Sequence, residues 1–343
     1  MAKASSAKKE FSDKIRMFKI ISSVALVIGI IGILIGAYSL ASISNLNLEL
    51  NNVTSIIHNV SSSTQVSAAQ TPQTLAGIDQ PFNETQLGVI NNAPLQYFEK
   101  AGMMYLNHSL VNEVGAQTVN VSAFYANGKP SVIYLGSITC IFCGENRWAM
   151  ALALSRFGNF TALYKGYSSF GDGDVPTIYW SQDNYNISTL DTGAHYQSKY
   201  INFIAFEDTG PITGGFSLQP LSTIQQEVNA TGNVTYENAF SLILKLNSFQ
   251  GTPYTIWGDN QVGGADAIDF GNTTPTSASN LEIAHMTHVQ ILSEFAAPND
   301  QFGWTEYAAA DLYIAMLCPS INNAAPVCSL PAIKQIIAQN HYV

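Results

Sequence analysis

Cys140 and Cys143 are separated by two residues, Ile141 and Phe142. Two thiols at this spacing close a small disulfide ring and reopen it, the chemistry of thiol–disulfide exchange. The stretch from Gly144 to Phe157 places Trp148, Ala151, Leu152 and Leu154 at roughly helical spacing, so the pair sits at the start of a helix, with Thr139 as the expected cap. At a helix N-terminus the peptide dipoles favour thiolate over thiol. Cys140 is therefore expected to be the exposed nucleophile that attacks a partner's disulfide, and Cys143, one turn in, the resolving thiol. Ile141 and Phe142 bring no charge that lowers a thiol pKa further, and Glu145 nearby would oppose thiolate formation. A zinc site would need two more ligands beside this pair. Haem attachment needs His directly after the second cysteine, where this chain has Gly144.

Other residues invite chemistry less strongly. Cys318 and Cys328 flank a short loop, and a structural disulfide there would stabilise the fold by ~2–3 kcal/mol on the chain-entropy model; a second redox pair relaying electrons to Cys140 and Cys143 is the alternative. His285 and His288, three apart with Glu282 nearby, could share a metal, although such pairs are commonly packing or surface residues; no metal site is assigned. Arg147 and Trp148 read either as shapers of the surface around the dithiol or as a solvated Arg beside a core Trp. The acidic turn Gly171-Asp172-Gly173-Asp174 reads as a plain turn rather than a calcium loop.

The elements that must hold the dithiol follow from the pattern around it. Pro130–Gly136 (PSVIYLG) is a β-branched, apolar run that reads as a buried strand. It is preceded by the turn Ala126-Asn127-Gly128-Lys129 and a strand over 119–124. A helix opening at Pro94 would present Leu95, Phe98, Met103 and Leu106 to a core. Further strands are expected at 162–167, 177–180 and 201–207. Residues 168–235, which contain the last two of these strands, read as an insertion. Helices are expected at 236–246, 281–295, 305–317 and 331–338. Between the first two of these lies Gly251-Thr252-Pro253, followed by a hairpin turning at Gly258-Asp259-Asn260.

The order of strand, dithiol, helix, Thr252-Pro253, hairpin and helix resembles the thioredoxin-like superfamily over about residues 131–295. In proteins of that fold a Thr-Pro or similar dipeptide with a cis peptide bond opens the strand beside the dithiol, and X–Pro is where a cis bond costs little. The resemblance implies that Thr252 and Pro253 shape a substrate groove. A closer likeness is carried by Gly136-Ser137-x-x-Cys140-x-x-Cys143, Arg147-Trp148 and Ala153-Leu154-Ser155-Arg156-Phe157-Gly158-Asn159-Phe160. These are similar to a largely archaeal, membrane-anchored family catalogued as domain of unknown function nine hundred and twenty-nine. That family has a dithiol and a late cysteine pair, and the likeness implies no established reaction. The chain departs from the family's pattern at Ile141, where Pro is usual, and at Asn146, which separates Glu145 from Arg147.

The remainder of the chain places this domain. Among 343 residues with a formal charge of -10, Lys3, Lys8, Lys9, Lys14, Arg16 and Lys19 face only Glu10 and Asp13 within the first 19. A small basic head on a large acidic body argues against nucleic-acid binding. No charged residue occurs from Ile20 to Leu48, and about 20 such residues suffice to span a bilayer. Residues 20–42 are the expected transmembrane helix, the head (1–19) cytoplasmic and the rest extracytoplasmic; a cleaved signal peptide, the rival, has a shorter apolar core. A seam of Ser22, Ala25, Gly29, Gly32, Gly36 and Ser39 continues as Ile43, Leu46, Leu50, Val53, Ile57 and Val60. Small residues in the span and an a/d pattern over 43–60 suggest a self-associating stalk and a homo-oligomer. Residues 61–85 read as a flexible linker. Numerous Asn-x-Ser/Thr sequons suit an external body.

The expected whole is an α/β, thioredoxin-like sheet with flanking helices and an insertion at 168–235, filling residues 86–343 behind one membrane helix and a helical stalk. The expected function is a membrane-anchored, extracytoplasmic thiol–disulfide oxidoreductase acting on protein thiols without a cofactor. Two alternatives stand beside it: a non-catalytic glycosylated ectodomain, and a copper-handling thioredoxin-like module using His285 or His288.

Overall fold

The computed structural model describes residues 77–107, 118–120, 123–138, 140–168, 175–181, 190–192, 194–208, 219–247, 252–257, 260–262 and 286–342, all within the unit Ala68–Val343. The expected membrane span at 20–42, the stalk at 43–60 and most of the linker lie outside the described residues. So do Thr139, residues 171–174, Glu282 and His285. Among the described residues no helix is long and apolar enough to cross a membrane.

In chain order the elements are α1 (Glu84–Asn91), α2 (Leu95–Leu106), β1 (Thr118–Asn120), β2 (Tyr125–Ala126), β3 (Lys129–Ser137) and α3 (Ile141–Leu154). Then come β4 (Gly158–Phe160), β5 (Tyr164–Ser168), β6 (Val175–Tyr179), β7 (Leu190–Thr192), β8 (Tyr196–Ser198) and β9 (Asn202–Asp208). After α4 (Leu221–Ala230) and α5 (Val234–Leu246) follow β10 (Tyr254–Trp257), β11 (Asn260–Val262), α6 (His288–Ala296), α7 (Gln301–Leu317) and α8 (Pro331–Asn340).

The main sheet runs β1-β11-β10-β3-β9-β7, with β2 paired to the start of β3. β3 and β9 are parallel, with Gly136 opposite Glu207 and Ser137 opposite Asp208. β10 lies antiparallel on the other side of β3, and β11 folds back on β10. β3 is buried along nearly its whole length because helices cover both faces, which is why it reads as a continuous apolar run. Its side chains alternate between two cores. Val132 and Tyr134 face a layer that includes α3, α6 and α7, with Phe203, Ala205 and Trp257. Ile133 and Leu135 face α4 and α5, with Ile204, Phe206, Tyr254 and Ile256. The result is a mixed α/β sheet with flanking helices.

β9, the parallel partner of β3, lies inside the stretch read as an insertion, so residues 168–235 supply part of the central sheet. The same stretch provides β6, which pairs with β5 in a separate hairpin against α3. Trp148 Nε1 donates to the Pro176 carbonyl at 3.1 Å, and the Thr177 hydroxyl donates to the Gly144 carbonyl. The turn before β3 forms as expected, with Asn127 and Gly128 both at positive φ, the pattern a tight hairpin needs.

Several helix boundaries differ from the sequence expectation, for local reasons. Pro94 is the N-cap of α2 rather than its first residue, and Leu95 is exposed while Phe98, Ala101 and Gly102 face inward. α6 starts at His288, where Thr287 caps it in a reciprocal box with Gln290; residues 281–285 of the expected helix lie outside the described residues. α7 starts four residues earlier than expected, at Gln301, where Asp300 accepts from the Gly303 N–H. Among the described residues of 119–124, Val119 and Asn120 lie in β1, Ala123 and Phe124 are not strand, and β2 follows at Tyr125.

Candidate functional site

The chain leaves the sheet at Ser137, at the carboxyl end of β3. The Ile138 N–H donates to the Asp208 carbonyl at 3.1 Å, and the Cys140 N–H donates to the Ser137 carbonyl at 3.1 Å. These bonds fix a tight turn that delivers Cys140 to the helix as its N-cap. The cap is the sulfur itself: Cys140 Sγ accepts from the Cys143 N–H at 3.3 Å. The helix thus begins one residue later than a Thr139 cap implies, and the dipole end faces the Cys140 sulfur. From across the sheet, the Thr252 carbonyl lies 3.8 Å from Cys140 Sγ and accepts its thiol hydrogen. Pro253, joined to Thr252 by a cis peptide bond, is buried at the entrance to β10. Cys140, Cys143, Thr252 and Pro253 therefore meet at one end of the sheet.

Both cysteines are free thiols. Cys143 is fully buried, and Cys140 is only 3 % exposed, not the open nucleophile expected of a helix-start cysteine. The exposed member of the motif is Phe142, at 49 %. The two thiols differ in electrostatics. Burial pushes the Cys140 thiol up, but hydrogen bonding from the Cys143 side chain and backbone, together with the Arg147 guanidinium, outweighs it and leaves the pKa below its ordinary value. Cys143 is held well above that value by burial and then by the neighbouring Cys140 sulfur.

Arg147 was left open by the sequence, between a residue shaping the dithiol's surroundings and a solvated charge. It is fully buried rather than solvated, while Trp148 beside it is a core residue. Arg147 Nη2 meets Glu207 Oε2 at 2.6 Å and Nε donates to Oε1 at 3.2 Å, a two-pronged pair between α3 and β9. Nη1 donates to Ser168 Oγ at 3.1 Å, and Nη2 also donates to the Ser137 carbonyl at 3.0 Å. Arg147 follows Cys143 by four residues and so shares its helix face, the one sequence signal that could have placed it. Glu145 takes a different direction. It is buried beside Glu306 of α7, with no leading part in the Cys140 environment.

The remaining candidates lie away from the dithiol. Cys318 and Cys328 form a disulfide with an S–S distance of 1.98 Å between the end of α7 and the turn before α8. His288 is buried, and its Nε2 lies 2.9 Å from the Gly166 carbonyl and 2.8 Å from the Thr177 carbonyl, clamping the β5–β6 hairpin to α6. That contact makes Nε2 a hydrogen donor, and burial lowers the ring's pKa to about 4. Among the described residues no three His, Cys, Asp or Glu side chains cluster as a metal site.

No curated protein and no solved structure matches the chain. Residues 117–250 match the model of a family described as a domain of unknown function (DUF929). The matched stretch runs from β1 through α5 and stops short of Thr252. It contains both free cysteines and the Arg147–Glu207 pair, and for this part of the chain the match supports the DUF929 family.

Proposed function

We propose that the chain is a membrane-anchored, extracytoplasmic thiol–disulfide oxidoreductase with a thioredoxin-like catalytic domain. The observation that carries the reading is the unequal pair: Cys140 caps a helix with its thiol pKa lowered, while Cys143 one turn in is held protonated. Support for the fold comes from the strand order β11-β10-β3-β9, with β3 and β9 parallel and the dithiol helix leaving β3. Support for the anchor comes from the uncharged run after a basic head.

In the proposed reaction the Cys140 thiolate attacks one sulfur of a protein disulfide. The substrate S–S bond breaks, a mixed disulfide forms at Cys140, and the other substrate sulfur leaves as thiolate and takes up a proton. Cys143 then loses its proton, attacks the Cys140 sulfur, and releases the second substrate thiol. The enzyme pair ends oxidised and the substrate reduced by two electrons. The reverse sequence oxidises a substrate dithiol. The potential of the pair against that of the compartment sets the direction.

The test is to purify the full-length chain with Cys143→Ser and incubate it with glutathione disulfide or a disulfide-containing protein. A mixed disulfide should accumulate at Cys140, seen by mass and lost on reduction. If none accumulates, the oxidoreductase reading is wrong. A second reading, an ectodomain without catalysis, is favoured by the 3 % exposure of Cys140. It gives no adduct in the same experiment.

A further inference from the structure

The turn that carries Cys140 is held from behind. The Ser137 carbonyl accepts two hydrogen bonds, one from the Cys140 N–H at 3.1 Å and one from Arg147 Nη2 at 3.0 Å. Arg147 is therefore one carbonyl away from the backbone of the first cysteine, and one helical turn from the second. Its other contacts reach two further elements, Glu207 on β9 and Ser168 on β5, and the Tyr134 phenol on β3 feels its charge. The Tyr179 phenol on β6 also feels the Arg147–Glu207 pair. Of these neighbours only Glu207 carries an opposing formal charge. Both side chains of the pair are essentially inaccessible to water.

Burying an ion pair costs desolvation that a hydrophobic pair of similar volume would avoid, so such a pair is weak evidence for stability by itself. This one lies where a permanent positive charge has a chemical use. A guanidinium stays protonated at any working pH, unlike an imidazole. Screening by salt is weak in the interior. We propose that Arg147 is a positioning residue for the dithiol: its guanidinium clamps the turn bearing Cys140 and sets a fixed positive charge behind both sulfurs, with Glu207 holding it there. The proposal rests on the oxidoreductase reading and deepens it. It assigns thiolate poise to a residue outside the Cys-x-x-Cys motif.

The charge should act on Cys143 as well as Cys140, since both thiols feel the guanidinium, whereas Glu207 bears chiefly on Cys143. Glu207 thus tempers the charge that it anchors. Removing the carboxylate should free the full field, and removing both partners should abolish it. A purely structural pair would alter stability and leave thiol titration where it was.

The test measures the rate of Cys140 alkylation by iodoacetamide against pH in the full-length chain with Cys143→Ser, alongside melting temperature. Adding Arg147→Met with Glu207→Leu should move the alkylation midpoint up by about 1 pH unit, with a roughly tenfold slower rate near neutral pH. In the chain with Cys140→Ser instead, Glu207→Gln alone should move the Cys143 midpoint down. A folded double variant with an unmoved midpoint overturns the proposal. If the double variant does not fold, Glu207→Gln in the Cys140→Ser chain decides: a lowered Cys143 midpoint supports the proposal, and an unchanged or raised one overturns it. Alkylation needs no disulfide exchange. A shifted midpoint without a glutathione adduct therefore rejects the enzyme and keeps the positioning role, and an adduct with an unmoved midpoint does the reverse.

Discussion

Two thiols three residues apart have opposite electrostatic fates here, because Cys140 caps the helix and Cys143 lies inside its first turn. The Cys143 N–H stabilises negative charge on the Cys140 sulfur, whereas the Cys140 sulfur beside Cys143 raises that thiol further. Brief alkylation of the reduced protein near pH 7 should therefore modify Cys140 ahead of Cys143, by roughly tenfold or more for each pH unit between their titrations. Peptide mapping checks the ratio, and preferential labelling of Cys143 would contradict the assignment. The motif and its place at the start of a helix were legible in sequence, since the spacing and the helical pattern after it are local. Arg147 was not. The sequence left it open between a residue beside the dithiol and a solvated charge, because its partner Glu207 is 60 residues away on a strand whose place in the sheet no local pattern reveals. The burial of Cys140 was likewise invisible, because it depends on chain remote in sequence, including the approach of Thr252.

At the scale of elements, α3 lies unusually close to the β5–β6 hairpin. A Cβ on Gly144 would fall 2.6 Å from the Ser168 side chain, so the glycine permits the contact through which Ser168 also reaches Arg147. Gly144→Ala should destabilise the fold by about 1–3 kcal/mol, the usual range for overpacking, as read from denaturant unfolding. An unchanged midpoint would mean that the hairpin yields freely. On its opposite side α3 packs on α7, a helix buried around nearly its whole circumference that nonetheless carries Glu306. Among the described residues neither Glu306 carboxyl oxygen has a hydrogen-bond partner, and burial, followed by the charge of Glu145, raises the pKa well above the carboxylate range. The folded chain therefore keeps this proton at a pH where the unfolded chain has released it. The contribution to stability is complete below the ordinary carboxyl range and is lost progressively as pH rises through and above it. Glu306→Gln should raise the melting temperature at pH 7 by about 2–4 °C for each kcal/mol regained, and change it little near pH 3. A variant equally destabilised at both values would contradict this account. The existence of α7 was legible from its apolar spacing. Its complete enclosure was not, because a helix apolar on one face and a helix covered on every face differ only in what packs around them.

For the whole molecule, local pattern identified the strand, the dithiol helix and the Thr252-Pro253 hairpin, and long-range pairing supplied the rest. β9 illustrates the difference: its apolar run was readable, but only pairing with β3 makes it part of the central sheet rather than of an insertion. The two cysteine pairs divide along the same line. Cys318 and Cys328 close a short loop next to a buried helix and are already joined, whereas Cys140 and Cys143 stand as thiols at the end of the sheet. The proposed enzyme requires that these pairs respond differently to redox poise. The most direct measurement equilibrates the full-length chain across graded ratios of reduced to oxidised glutathione, traps free thiols by alkylation, and locates them by mass. The account predicts one reversible two-electron transition at Cys140–Cys143 while Cys318–Cys328 stays oxidised. Thiols at Cys140 and Cys143 that persist at every ratio, or a transition confined to Cys318–Cys328, would contradict it.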